Sequence, residues 1–222
     1  MKLEGLKINF LGDSITEGAG VSSKDKIYFA LLKEECGLAE ARGYGIGGTR
    51  FAVQHGASWR EWNPRFDENS FCQRFETMDD DADVVVVFGG TNDFGHGDAP
   101  IGGFSDRTPD TFYGACHYLF SGLIKKYTGK PIIIMTPLHR VNEMRNTGSC
   151  KGEPYATLKE YVNIIREVAE YYSLPVLDLY AMSGLQPNVP AIKEKFVPDG
   201  LHPNDAGHVI IKDRLKGFLE SL

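Results

Sequence analysis

A serine follows directly on an apolar run in Ile8-Asn9-Phe10-Leu11-Gly12-Asp13-Ser14. A serine hydroxyl is a weak nucleophile at neutral pH. Attack on an ester carbonyl needs a base to take its proton and a third group to orient that base. Histidine suits the base, because its ordinary pKa of ~6.5 lies near working pH. Three Asp-x-x-His pairs occur: Asp93/His96, Asp199/His202 and Asp205/His208. At this spacing a carboxylate reaches the imidazole Nδ1–H wherever the backbone turns. Pro198, Gly200 and Pro203 support such a turn around the second pair. The third pair reads as the start of the last helix, where Asp205 favours the helix dipole and His208 is structural. Spacing alone leaves the first two open. Acyl transfer also needs donors for a developing oxyanion, typically a backbone N–H in a glycine turn and an Asn amide. Gly48, in Gly47-Gly48-Thr49, and Asn92, in Gly90-Thr91-Asn92-Asp93, fit those roles. Each alone could be a tight turn or a helix cap; together, past successive strands, they point to a site.

These residues need a scaffold that brings distant segments to one edge. Residues 7–12 read as a first strand, and 43–48 as a short glycine-dense strand with its exit turn. The run from Asp83 to Gly90 is β-branched throughout its centre, the mark of a strand buried on both faces. Residues 131–137 form another such strand, and 176–180 the last. Helical periodicity covers 25–37, 110–127 and 155–173, with a short helix near 70–77. A final helix follows residue 203, with Pro203 suited to its first turn and Val209, Ile210, Leu215, Phe218 and Leu219 on its apolar side. Residues 49–80 are otherwise loop-rich, and 94–109 and 138–153 read as long loops of functional size. Alternating strands and helices predict an α/β fold with a parallel sheet covered on both faces. Five strands suit the flavodoxin-like order 2-1-3-4-5, whose carboxyl ends form the ligand edge. No repeat or linker appears, so one domain over 1–222 is expected.

Composition narrows the partners. The 222 residues include 42% hydrophobic and 24% charged residues, ordinary for a globular chain. A net charge of -6 argues against nucleic acid and anionic membrane surfaces. No signal segment or apolar span is visible, and a cytoplasmic location is expected. The four cysteines, Cys36, Cys72, Cys116 and Cys150, form no Cys-x-x-Cys pair and read as free thiols. Subunit number is not legible, and a homo-oligomer stays open.

Gly12-Asp13-Ser14, the Gly48 turn, Gly90-Thr91-Asn92-Asp93 and Asp199-x-x-His202 resemble, in order, the four motif blocks of the GDSL-like SGNH hydrolases. The resemblance extends over nearly the whole chain. It implies a three-layer α/β/α esterase or acylhydrolase that uses no metal or cofactor. Ser14 would be the nucleophile and His202 the base, with Asp199 orienting it. The N–H groups of Ser14 and Gly48 and the Asn92 amide would form the oxyanion hole. The second block departs from the family: Gly45-Ile46-Gly47-Gly48-Thr49 lacks the Asn often found upstream, which leaves Gly47 as an alternative to Gly48.

Rivals of other classes are weaker. Gly43-x-Gly45-x-x-Gly48 matches a dinucleotide-binding fingerprint, but residues 49–56 do not read as the helix it should open. Asp13, Asp93, Asp199 and His202 could serve a metal-dependent phosphoesterase, at the cost of leaving the serine and glycines idle. A noncatalytic carbohydrate-binding module is a third reading. For the esterase, Asp13, Trp59, Phe94, His96, His139 and Arg140 are candidate substrate contacts, with Trp62 nearby. Aromatic rings beside polar groups suit sugars, and no long apolar lid is visible. A short acyl ester, above all an acetyl ester of a sugar or other small molecule, is therefore expected. Lipid or thioester acylhydrolysis by the same site is the alternative.

Overall fold

The structure, a computed structural model, describes residues 1–56, 61–145 and 156–222. The elements run β1 (Lys7–Gly12), α1 (Ser14–Glu17), α2 (Tyr28–Cys36), β2 (Glu40–Gly45), α3 (Pro64–Asp67), α4 (Phe71–Arg74), β3 (Val84–Phe88), α5 (Thr91–His96), α6 (Phe112–Lys126) and β4 (Ile132–Met135). Then come α7 (Leu158–Tyr171), β5 (Val176–Leu177), α8 (Leu179–Met182), α9 (Pro190–Phe196) and α10 (Asp205–Ser221). All strand pairs are parallel, in the order β2-β1-β3-β4-β5. The expected order and three-layer arrangement are therefore what the chain adopts.

The layers follow from the period-2 alternation of strand side chains. Val84, Val86 and Phe88 of β3 face one core, with Ile133 and Met135 of β4, and α2 and α10 cover it. Val85, Val87, Ile132 and Ile134 face the other, beneath α6 and α7. With apolar packing on both sides, β3 buries every residue, as its sequence predicts. α7 is the most clearly amphipathic helix, with Tyr161, Val162, Ile165, Val168 and Ala169 buried on one face; Thr157 and Glu160 close its start as a capping box.

Several boundaries differ from the sequence reading. β2 begins at Glu40 and ends at Gly45, three residues early, because its pairing with β1 runs from Lys7–Glu40 to Gly12–Gly45. It is an edge strand with no fully buried residue, so no apolar run marks it. β5 stops after Leu177, since the Asp178 side chain accepts from Ala181 N–H and starts α8. α5 occupies the beginning of what reads as a loop, and α3 and α9 are further short helices. Asn204 caps α10 through Gly207 N–H, which leaves Pro203 outside the helix. The buried face of α10 is His208, Ile211, Lys212, Leu215 and Leu219, while Val209 is exposed. The helix is rotated from the expected face because a histidine and a lysine stem share its buried stripe.

His208 is fully buried, its ring stacked on Tyr28 and its Nδ1 accepting from Tyr28 N–H. Burial pushes its pKa down to about 4. The folded protein thus keeps His208 neutral while the unfolded chain takes up a proton, and stability is lost as pH falls from about 6.5 towards 4. Burial pushes Asp13 up to about 6, which works in the opposite direction over a similar range. The wild-type curve is therefore flattened, and the His208 contribution appears in the difference from His208→Gln. Urea unfolding between pH 7 and 4.5 should show the wild type's advantage over H208Q shrinking by about 2–3 kcal/mol. A difference that stays constant with pH would show that His208 titrates alike in both states.

Candidate active site

The first residue past β1 is already polar and buried. Asp13 caps α1, with Oδ1 accepting from Ile15 N–H at 3.0 Å, and places Ser14 in the first turn. α1 lies so close to the strand ends that a Cβ on Gly12 would sit 1.9 Å from Thr16 Oγ1. Glycine is required there by space. The loop before α10 brings the second half of the site. Ser14 Oγ and His202 Nε2 are 3.0 Å apart. His202 Nδ1 lies 2.6 Å from Asp199 Oδ2. Asp199 Oδ1 accepts from the N–H groups of Leu201, at 2.8 Å, and His202, at 2.7 Å. Partial burial pushes the Asp199 carboxyl up, but these N–H groups and the His202 ring outweigh it and hold it below the usual carboxylate range. An ionised Asp199 accepts a hydrogen bond from His202 Nδ1–H, which leaves the Nε2 lone pair aimed at the Ser14 hydroxyl. This chain of groups can draw a proton from Ser14. Val141 N–H donates to Gly200 O at 2.9 Å, so the loop after β4 braces the loop that carries Asp199 and His202.

The other side of Ser14 is built from the ends of β2 and β3. Gly47 N–H donates to Glu17 Oε2 at 2.8 Å, and Arg65 pairs with the other oxygen of the same carboxylate. Gly47 N–H is therefore committed within the protein. Gly48 turns the chain at φ 79°, which favours glycine, and among the described residues no acceptor takes its N–H. Asn92 is 4% exposed. Its Nδ2 donates to Thr49 O at 3.0 Å, which leaves one amide hydrogen for a ligand, and its Oδ1 lies 3.2 Å from His96 Nε2.

Of the three Asp-x-x-His pairs, only Asp199/His202 meets Ser14. The Asp93 carboxylate accepts from Phe51 N–H at 3.0 Å and Ala52 N–H at 3.1 Å, while His96 Nδ1 faces Arg50 at 2.8 Å. Asp205 accepts from the backbone and hydroxyl of Ser22, beside the buried His208. Among the described residues, no three His, Cys, Asp or Glu side chains gather in a group that could hold a metal ion. The glycine fingerprint ends in a turn at 46–48 and opens no helix, which removes the dinucleotide reading.

The candidate substrate contacts separate. Asp13 is 2% exposed and Phe94 also 2%, so both are enclosed. Phe94 packs edge-on against Tyr161 beneath the Arg140 guanidinium. In this structure Asp13 caps a helix and Phe94 fills the core. Arg140 also donates to Thr91 O and Oγ1, both at 3.2 Å. His139 Nδ1 meets Glu143 at 2.8 Å, and its ring lies 3.9 Å from that of Tyr180. Trp62 is 39% exposed, and Trp59 lies outside the described residues. Sequence reasoning passed over Glu17, Arg50, Asp67 and Arg74. The signal for Arg50 was legible: a charged residue between Thr49 and the apolar Phe51-Ala52-Val53 must be exposed or paired, and it is buried against Asp67.

By fold and family this chain is a hydrolase of ester type. It belongs to the GDSL-like Lipase/Acylhydrolase family, whose model matches residues 10–210. One solved structure with 32% identity superposes with a TM-score of 0.84, over 100% of this chain and 99% of that one. A protein from Lactobacillus plantarum shares 29% identity and a TM-score of 0.82, with 98% of each chain covered. The acetyl xylan esterase AlAXEase shares the fold at 24% identity and a TM-score of 0.62, over 96% of this chain and 98% of that one. No protein with a curated description matches the sequence. Among the described residues, no helix is long and apolar enough to cross a membrane.

Asp93 tests how much the site depends on its frame. Removing its carboxylate in Asp93→Ala strands the buried N–H groups of Phe51 and Ala52. Each such group costs about 1–3 kcal/mol, so the variant should lose about 2–6 kcal/mol in urea unfolding. A loss under about 1 kcal/mol would show that those N–H groups find other acceptors.

Proposed function

We propose that the chain is a serine esterase that removes short acyl groups, above all acetyl, from a sugar or other small molecule. The observation that carries this reading is the relay from Ser14 Oγ through His202 to Asp199, with separations of 3.0 and 2.6 Å. In this mechanism Ser14 Oγ attacks the ester carbonyl while its proton moves to His202 Nε2. Asp199 holds the ring in its Nδ1–H form and stabilises the imidazolium. The N–H groups of Ser14 and Gly48 and the free amide hydrogen of Asn92 stabilise the oxyanion. The commitment of Gly47 N–H to Glu17 favours Gly48 over Gly47 for this role. His202 then protonates the leaving alcohol, the C–O bond breaks, and water repeats the cycle on the acyl-serine.

Two observations support the acyl preference. One neighbour of the same fold is named an acetyl xylan esterase. His139 and Arg140, half-buried on the loop after β4, present polar groups beside the loop that carries Asp199 and His202. A sugar's hydroxyl groups would be recognised by such a rim, and a long acyl chain would not.

The test is hydrolysis of a series of chromogenic esters, from acetyl to long acyl, with a chelator present. Wild type should turn over acetyl fastest, and Ser14→Ala should lose about 10³-fold or more. Asp199→Asn should lose about 10⁴-fold and Asn92→Ala about 10²–10³-fold, chiefly in kcat. Full activity in Ser14→Ala would overturn the mechanism. An optimum at long chains would keep the mechanism and move the substrate to lipids or thioesters. Loss of turnover with chelator would point to a metal, and binding of acetylated sugars without turnover to a carbohydrate-binding module.

A further inference from the structure

Asn92 can donate to an oxyanion only if its NH2, rather than its carbonyl oxygen, faces Ser14. Behind it stands a chain of buried polar groups outside the relay. Arg50 is completely buried and paired with Asp67, which is also completely buried. The Arg50 guanidinium reaches His96 Nδ1 at 2.8 Å, and His96 Nε2 reaches Asn92 Oδ1 at 3.2 Å. A guanidinium has only donors and keeps its charge at any working pH. The atom facing it must therefore accept, so His96 Nδ1 carries no proton. In a neutral imidazole the proton then sits on Nε2. That N–H must meet an acceptor, and the Asn92 atom in reach is Oδ1. The flipped amide would set NH2 against Nε2–H and the carbonyl oxygen against Thr49 O. Both contacts thus fix the same orientation.

We infer that His96 is a positioning residue: set in its Nε2–H tautomer by the buried Arg50–Asp67 pair, it fixes and polarises the Asn92 amide as an oxyanion donor. This rests on the reading of Asn92 given above. Linked hydrogen bonds in a low-dielectric interior strengthen one another. The positive charge of Arg50 draws electron density from the imidazole, which sharpens its Nε2–H as a donor. Donation to Oδ1 in turn makes the Nδ2 hydrogens more positive. The chain ends at the place where negative charge develops. It also keeps His96, four residues from Asn92, from acting as a competing base: its lone pair is occupied by Arg50.

A double-mutant cycle tests this. Steady-state kinetics on a chromogenic acetyl ester are measured for wild type, His96→Ala, Asn92→Ala and the double variant. His96→Ala should lower kcat about tenfold or more, with KM within about twofold. In the Asn92→Ala background, adding His96→Ala should change kcat by less than about twofold, because the group it acts through is gone. His96→Gln, which can donate to Oδ1 and accept from Arg50, should recover most of the lost kcat. Independent, multiplicative losses, or a loss seated in KM, would overturn the relay while leaving Asn92 in place. A full kcat in Asn92→Ala would instead overturn the reading on which it rests. A separate measurement needs no variant: nitrogen-15 NMR of the wild-type histidines at pH 7 should show His96 protonated on Nε2 alone. An Nδ1–H tautomer or an imidazolium would refute the inference whatever the kinetics give.

Discussion

Arg74 holds a positive charge between the ends of two strands, and the edge of the sheet is organised around it. Its guanidinium donates to Gly12 O at the end of β1, to Tyr44 O in β2, to Asn69 O and to the Thr49 hydroxyl, and stacks on Phe71. Burial pushes its pKa down to about 10, which leaves it charged at neutral pH. The carboxyl ends of parallel strands leave carbonyl oxygens without partners where the sheet stops. A single fork of donors bonds two strand carbonyls, Gly12 O and Tyr44 O, together with the loop carbonyl of Asn69, and ties the Gly48–Thr49 turn to the strand that delivers Ser14. The other side chains at this edge follow the same logic: Asp93 takes the N–H groups of residues 51 and 52, and Glu17 takes that of Gly47. The reactive groups stand on a floor whose backbone polarity is already satisfied, so those left over are free for a substrate.

The proposed site has two unlike halves, one with the proposed oxyanion donors and one with the proposed base. On the oxyanion side Asn92 is 4% exposed and backed by the fully buried Arg50–Asp67 pair. On the base side the Asp199 side chain is 55% exposed and His202 23%. Asp199 compensates for its exposure with three hydrogen bonds from its own turn, which hold it ionised without a dry surround. The donors thus sit in a pre-formed, low-dielectric frame, where a developing charge is felt most strongly. The proton-carrying groups lie where water can reach them.

Sequence legibility followed burial. β3 and β4 announce themselves because both faces are covered, and their composition has one solution. β2 does not, because an edge strand needs no apolar face, and its glycines serve close approach instead, Gly45 to α1 and Gly43 to Phe29 of α2. Ser14 and Asn92 were legible as residue types at strand ends, and Asp199 and His202 as residue types in the final loop. The choice between Asp93/His96 and Asp199/His202 was not, since both pairs have the same Asp-x-x-His spacing; it turns on where the chain folds back. Arg74 and Glu17 were invisible for another reason. Their roles are set by backbone atoms from distant segments, and a sequence does not display where its own unpaired carbonyls will end.

Ser14 and His202 are separated by 188 positions along the chain. Nothing local brings them together: one belongs to the first strand's exit, the other to the loop before the last helix. Closing so long a segment is entropically costly and becomes favourable only once the intervening strands have docked. Until α10 packs beside α2, Ser14 is an ordinary alcohol in a chain of ordinary alcohols. The proposed proton relay would thus be a record that folding has finished, and on that reading a growing or half-folded chain is chemically silent towards the esters around it.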